Sequence, residues 1–326
     1  MRAKVETAQA PKSSKSKAAN PDEVVVRDVS PAAASPRSAK KKTGGKKTPG
    51  KKSGTLKKSV PMAARMDRHD LYQKSVQGVE AEIDFIEETF QSLRGRKPTL
   101  IREDFCGTAN SSCEFVKRRR TNHAIGVDLD QPTLDWGYEN NVMALPPSAR
   151  DRVRLVNADV REVSKERVDA VLAMNFSYYI FMQRSMMIEY FRSVRESLAE
   201  GGLMFMDAYG GYEAYKECRE KRKIDKNFTY IWEQAKYSPI TGIMDCFIHF
   251  HFSDGSKMNR AFSYTWRLWT IPEIREMLAE AGFARSTVYW EGEDEDEDSD
   301  EGNGIFEPDE EGTADPSWVC YIVAEK

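Results

Sequence analysis

The chain has 326 residues, a net charge of −3 and 40% apolar residues, enough for one large domain or two small ones with a real core. No apolar run approaches the roughly 20 residues that span a bilayer, and the first residues, MRAKVETAQAPKSSKSK, lack the apolar stretch of a secretory signal. The five cysteines (106, 113, 218, 246, 320) are odd in number and show no CxxC spacing, which fits reduced, mostly buried thiols in a cytoplasmic protein better than a disulfide scaffold or a zinc site.

The small net charge hides an asymmetry. Residues 1–60 hold 16 Lys/Arg and 4 Asp/Glu, a net of +12, whereas residues 291–326 hold 15 acids and one lysine, a net of −14. Residues 1–60 are Lys, Ala, Ser, Pro and Gly, and are expected to be a disordered Lys-rich arm. Such an arm can contact nucleic acid without sequence preference, or serve only as a solvated tail. No aromatic residue interleaves its lysines, so bases would find no stacking platform there.

From residue 66 the pattern becomes that of a folded domain. Residues 66–93 read as one amphipathic helix, with Leu71, Val79, Ile83, Ile86 and Phe90 as its apolar stripe and Tyr72 near its start. Residues 99–103 form a first strand, followed by a tight turn with Gly107 and a helix over 111–120. A second strand ends Gly126-Val-Asp-Leu-Asp130, and Asp130 with Pro132 opens a helix through residue 141. Strands follow at 152–157, 168–174 and 203–207, with a helix at 186–198 closed by Gly201-Gly202.

This alternation predicts an α/β, doubly wound, mostly parallel sheet with helices on both faces. After the fifth strand the pattern changes. Residues 228–237, 243–252 and 258–268 read as three strands of an inserted antiparallel β meander, bent at Ser238-Pro and Asp254-Gly. A helix from Pro272 to Gly282 and strands at 285–290 and 318–323 complete a seven-stranded sheet. The acidic run at 291–301 repels itself, so 291–316 is expected to be an extended loop.

A strand, a tight turn, a helix and a second strand ending in an acid form the layout of a nucleotide-type site. GxGxxG is absent, which argues against a nicotinamide enzyme. Gly107, Asp128, Asp159, the strand end at Asn175 and the Ala199-Glu-Gly-Gly202 turn fall in the order seen in class I S-adenosylmethionine-dependent methyltransferases, and the chain resembles that family over 66–326. The meander is similar to the cap of small-molecule methyltransferases such as glycine N-methyltransferase.

The resemblance implies S-adenosyl-L-methionine as cofactor and a Rossmann-like methyltransferase fold. Cys106-Gly107-Thr108 would cradle the methionine part, with Glu103 as the acid that ends the first strand and Tyr72 beside it. Asp128 would hold the ribose hydroxyls, Leu129 would lie on the adenine, and Asp159 with Val160 would sit near its amine. Asn175 lies at the carboxyl edge, where donor and acceptor would meet. Phe105 and Ala109 stand where the family has glycines. Residues 175–179, Asn-Phe-Ser-Tyr-Tyr, lack the Pro-Pro motif of amino-methylating nucleic-acid enzymes, and Tyr178 and Tyr179 are as readily core aromatics.

The expected activity is in-line methyl transfer to a small-molecule acceptor. Alternatives are an RNA or protein methyltransferase served by the basic arm, or a non-catalytic S-adenosylmethionine-binding regulator. A base is needed only where the acceptor must lose a proton. Candidates are Tyr209 and the pair His249 and His251, which share one face of a cap strand, or are ordinary sheet histidines. No third ligand accompanies them, so no metal is expected. Arg260 and Arg267 could hold an acidic acceptor or be solvated.

Overall fold

The computed structural model describes residues 60–163, 166–293 and 302–326. The Lys-rich arm and most of the acidic run lie outside the described residues. Helices α1 (Arg68–Val76) and α2 (Val79–Arg94) lead into β1 (Leu100–Asp104), α3 (Asn110–Arg118) and β2 (His123–Asp128). Then come α4 (Gln131–Gly137), α5 (Pro147–Arg150), β3 (Val153–Asn157), β4 (Val168–Ala173), α6 (Arg184–Ser197) and β5 (Leu198–Gly210). A second block holds β6 (Cys218–Lys223), β7 (Phe228–Tyr237), β8 (Ile243–Phe252) and β9 (Lys257–Arg267). The chain closes with α7 (Ile271–Ala281), β10 (Arg285–Glu293), β11 (Gly302–Pro308) and β12 (Trp318–Glu325).

The main sheet has the order β11-β10-β12-β5-β4-β1-β2-β3. Pairs β1–β2, β1–β4, β2–β3 and β4–β5 are parallel, and those from β5 to β11 antiparallel. The order reverses at β1, with β4 on one side and β2 on the other, so a crevice opens beyond the carboxyl ends of these strands.

Alternate residues of each strand pack against different helices. Met204 and Met206 of β5 meet Tyr190, Phe191 and Val194 of α6 and Ile274, Met277 and Leu278 of α7. Leu203 and Phe205 meet Ile83, Ile86 and Phe90 of α2 and Phe115 and Val116 of α3. The smaller sheet, β6-β7-β8-β9, lies after β5 as a cap, and Leu71 of α1 is buried against its Phe228, Ile248, Phe250 and Phe252.

Four details differ from the sequence expectations. The helix expected over 66–93 is two helices, because Gln77 is extended (φ −96°, ψ 109°) and Gly78 interrupts the turn between them. The helix from Asp130 ends at Gly137 and passes into a wider turn at Tyr138–Val142. The cap has a fourth strand, β6, whose Cys-Arg-Glu-Lys-Arg-Lys sequence has no apolar alternation because it is an exposed edge. The main sheet has an eighth strand, β11, inside the stretch expected to be loop. It has few strand formers and exists because the free edge of β10 pairs with it.

Candidate functional site

The turn after β1 is built from left-handed backbone. Phe105 and Gly107 have φ 56° and 52°, and Ala109, which caps α3, has φ 56°. Two positions where a glycine was expected thus keep a glycine conformation without glycine, at roughly 1–2 kcal/mol each. Contacts hold this strain in place. The Phe105 ring packs at 5.9 Å from Phe181 and 5.7 Å from Tyr190. Cys106 N–H donates to the Val127 carbonyl at 2.9 Å, and Ala109 N–H to the Cys106 carbonyl at 2.7 Å.

Several further elements clamp the turn. Asp128, at the end of β2, accepts Gly107 N–H at 2.8 Å and Asp130 N–H at 2.9 Å. Gly137 of α4 lies so near Thr108 that a Cβ would stand 2.5 Å from its carbonyl oxygen. Asn141 donates to that carbonyl at 2.8 Å, and Gln73 of α1 donates to the Thr108 hydroxyl at 2.7 Å.

The first strand ends in acids on opposite faces. Asp104 turns to the α6 side, where Arg102 grips it at 2.7 and 2.9 Å and Tyr190 donates to it at 3.0 Å. Arg102 also donates to Ser197 at 2.7 Å, so this buried ion pair is structural. Glu103 turns toward α3 and accepts Ser112 N–H at 2.8 Å and Ser112 O–H at 2.5 Å. Burial pushes Glu103 up to about 7, against those hydrogen bonds.

Two acids that the sequence left unmarked join it. Glu82, in the first turn of α2, is half-buried, takes a 3.3 Å hydrogen bond from Ser111 O–H, and burial pushes it up to about 7. Asp207, near the end of β5, accepts Asn175 N–H and Phe176 N–H, each at 2.8 Å, and burial pushes it up to about 7. The charge of Glu82 acts on Glu103, on Asp207 and on Tyr72, so these groups lie near one another. Their signal in the sequence was only position: an acid in the first turn of a stripe helix and an acid ending an apolar strand.

Asp207 holds a second left-handed turn, with Asn175 at φ 58° and Phe176 at φ 56°. Phe176 packs 4.8 Å from Tyr209. The side-chain amide of Asn175 makes no hydrogen bond among the described residues. Tyr178 and Tyr179 are fully buried core residues. Tyr209 is also buried, its hydroxyl 2.8 Å from the Met244 sulfur, and burial pushes it far above the usual phenol range.

Helix α1 touches both the turn, through Gln73, and the cap, through Leu71 and Tyr72. Tyr72 packs 5.0 Å from Phe262, and burial first, then Tyr230, raises its hydroxyl. His69 lies between Trp136 of α4, at 5.2 Å, and Phe262 of the cap, at 5.8 Å.

Burial pushes Asp128 up, while its backbone donors act the other way. The next residue, Leu129, is half exposed beside it, and its carbonyl is fixed by Asn157 at 2.8 Å. Val160 is buried in the core, and Asp159 is held bidentate by Arg161, which lowers it despite burial.

His249 and His251 are not brought to this cleft. Strand alternation turns Ile248 and Phe250 of β8 toward Leu71 and Tyr72, so both histidines take the opposite face of the cap. His249 is buried there between Glu233, at 2.6 Å, and Arg260 N–H, at 3.1 Å. Arg260 stacks over Phe247 at 4.2 Å, and Arg267 over Trp269 at 3.7 Å. Among the described residues no three His, Cys, Asp or Glu side chains are placed to hold a metal, and no helix is long and apolar enough to cross a membrane.

No protein-family model and no curated protein sequence matches the chain. Solved structures do. An S-adenosylmethionine-dependent methyltransferase from Clostridium acetobutylicum superposes with a TM-score of 0.57 at 16% identity, over 79% of this chain and 96% of that one. DesVI of Streptomyces venezuelae gives 0.57 at 17% identity over 79% and 98%. CalS10, an amino pentose methyltransferase from Micromonospora echinaspora solved with S-adenosylmethionine bound, gives 0.56 at 15% over 79% and 95%. The chain therefore has the Rossmann-like fold of S-adenosylmethionine-dependent methyltransferases, with an inserted antiparallel sheet.

Proposed function

We propose that this fold works here as an S-adenosylmethionine-dependent methyltransferase acting on a small molecule, with 66–326 as the catalytic domain and 228–268 as the heart of its cap. The observation that carries the reading is the Gly107–Asp128 clamp. A turn that keeps glycine geometry at Phe105 and Ala109, tied to the acid ending β2, is costly to build, and strain of this kind is kept where a backbone must approach a ligand.

The residues fit the cofactor. Glu103 would accept the methionine ammonium, helped by Glu82 across the cleft, and the turn Cys106-Gly107-Thr108 at the start of α3 would receive its carboxylate. The free lone pairs of Asp128 suit the ribose diol, and the exposed Leu129 side chain offers an apolar face for the adenine. Asp159 and Val160 border that region, where Asp159 can meet the adenine amine only by sharing its carboxylate with Arg161. Tyr72 covers the site, and Asn175 faces the reacting end. S-adenosylmethionine supplies an electrophilic methyl group on a sulfonium; the chain's part is to orient the acceptor in line and exclude water.

The small-molecule reading is supported by the aromatic face that the cap turns toward α1 and by the described activities of structural neighbours, which include an amino pentose methyltransferase and a sugar N-methyltransferase. The free thiols suit a reducing, cytoplasmic setting. Calorimetry with S-adenosylmethionine tests the proposal. Binding that is strong in the native chain and lost in Asp128→Ala is expected; no binding, or equal binding in both, refutes it.

A further inference from the structure

The two faces of the cap differ in chemistry. The face that meets α1 is apolar and aromatic. The other is defined by strand register. Ile248 and Phe250 of β8 turn toward α1, so Asp245, Phe247, His249 and His251 stand on the outer face. Their partners across the sheet share it. Arg219, Lys221 and Lys223 of the edge strand β6 pair with Glu233, Ile231 and Thr229 of β7, which pair in turn with Phe247, His249 and His251. Lys257 of β9, the other edge strand, pairs with His251, and Lys236 of β7 with Asp245. Arg260 joins them, its guanidinium 4.2 Å over the Phe247 ring.

Six exposed cations thus share this face with two carboxylates, Glu233 and Asp245, a net of +4. Both carboxylates are engaged. Glu233 meets His249 at 2.6 Å and Arg219 at 3.6 Å, and Asp245 accepts the Thr265 hydroxyl at 2.9 Å. Among the described residues Lys221, Lys223, Lys236 and Lys257 make no ion pair. Alternation sets the β6 cations about 7 Å apart, and the two edge strands lie about 14 Å apart. Among the described residues no exposed large apolar side chain stands on this face. A protein partner is held chiefly by buried aromatic or aliphatic anchors and an interfacial membrane contact by apolar insertion, and the face offers neither. What it offers is a repeated array of positive charge, the complement of a phosphate backbone.

We infer that the outer face of the cap docks the protein on the phosphate backbone of duplex nucleic acid, without regard to sequence. The ammonium and guanidinium groups contact phosphate oxygens and displace condensed counterions, which gives affinity but reads no base. A duplex is favoured over a single strand because no exposed ring stands there to stack an unpaired base, and Arg260 covers Phe247. The face lies opposite the one that meets Tyr72, so the nucleic acid is a docking partner and not the methyl acceptor. The inference does not depend on the methyltransferase reading.

The test uses the full chain, Lys-rich arm included, and a fluorescein-labelled duplex of about 20 base pairs, as DNA and as RNA, read by anisotropy between about 50 and 200 mM salt. The native chain should bind duplexes of unrelated sequence equally and lose affinity steeply with salt; no binding at the lowest salt overturns the inference. The triple variant Arg219→Glu, Lys221→Glu, Lys223→Glu should bind at least tenfold more weakly, with a slope of log affinity against log salt smaller by about two to three. Glutamate still guards an edge strand against pairing, so the loss is not one of self-association. Unchanged affinity assigns the binding to other parts of the chain and overturns the inference. So does an equal loss in Lys117→Glu, Arg120→Glu, Arg154→Glu, which reverses three exposed cations outside the cap. If the first variant does not fold, Lys257→Glu takes its place, with a threefold loss and a slope smaller by about one expected, and no change overturning. Stronger displacement by polyglutamate or phosphatidylserine vesicles than by unlabelled duplex, at equal charge, would assign a protein or membrane partner instead. S-adenosylmethionine affinity, measured on the same samples, tests the methyltransferase reading separately.

Discussion

The Asp128 carboxylate accepts the Gly107 amide N–H at 2.8 Å, joining the end of β2 to the turn after β1 across 21 residues of sequence. One carboxylate thus fixes the turn and still has lone pairs free for a ligand. Asp128→Ala removes both roles. S-adenosylmethionine affinity should fall at least tenfold, matching the roughly 1.5–3 kcal/mol of a hydrogen bond to a charged group, and titration calorimetry reads it.

Phe105 and Ala109 share a φ of 56°, yet they should respond differently to substitution. Phe105→Ala keeps the strain and loses the ring that packs on Phe181 and Tyr190, a cost of about 2–3 kcal/mol. Ala109→Gly relieves strain but loses a buried methyl group and frees the unfolded chain, and these offset to within about 1 kcal/mol. Urea unfolding of both variants separates them.

Arg102 and Asp104 form a bidentate pair within the core, both about 1% exposed. Asp104→Ala strands a buried guanidinium and should destabilise by about 3–5 kcal/mol. The double change Arg102→Met with Asp104→Leu removes both charges and should recover most of that loss. Melting temperatures of the two variants decide the matter.

Glu82, Glu103 and Asp207 are each raised to about 7 in the folded chain. A carboxyl whose folded value lies above its unfolded value binds its proton more tightly when folded. Its contribution is therefore present in full below about pH 4 and is lost as pH rises through about 7. Without ligand, the chain should melt several degrees lower at pH 8 than at pH 6. Asp207→Asn and Glu82→Gln should each flatten that slope, which differential scanning fluorimetry across pH measures.

His249 and His251 occupy the face of the cap opposite Tyr72. His251→Gln should leave turnover within twofold and leave its pH profile unshifted. His249→Gln, which disturbs the Glu233 contact, should lower the melting temperature more than it lowers turnover. Steady-state rates across pH would expose any catalytic role.

Much of the candidate site could be placed from sequence because its members lie next to features with a strong periodic signal. Asp128 ends an apolar strand, Gly107 sits between a strand and a helix, and Asn175 follows the unbroken run of β4, so each could be placed before any coordinates. Glu82 and Asp207 were not, since an acid in a helix's first turn or at a strand's end reads as ordinary helix or loop chemistry. Only folding takes water from both and brings them near each other. The two histidines show the converse: alternation correctly put them on one face, but nothing local says which face of an inserted sheet meets α1.

The sequence by itself determined the α/β alternation, the inserted meander and the order of the carboxyl-edge residues, because apolar periodicity and turn chemistry are local. Tertiary structure alone decided that β6 and β11 are strands, since an edge strand takes its hydrogen bonds from a neighbour rather than from its own propensities. It also decided that Phe105 and Ala109 hold glycine conformations and that Glu82, Glu103 and Asp207 come near one another out of water. Those outcomes depend on packing between segments distant in the chain, where the contacts of one element offset strain and desolvation in another.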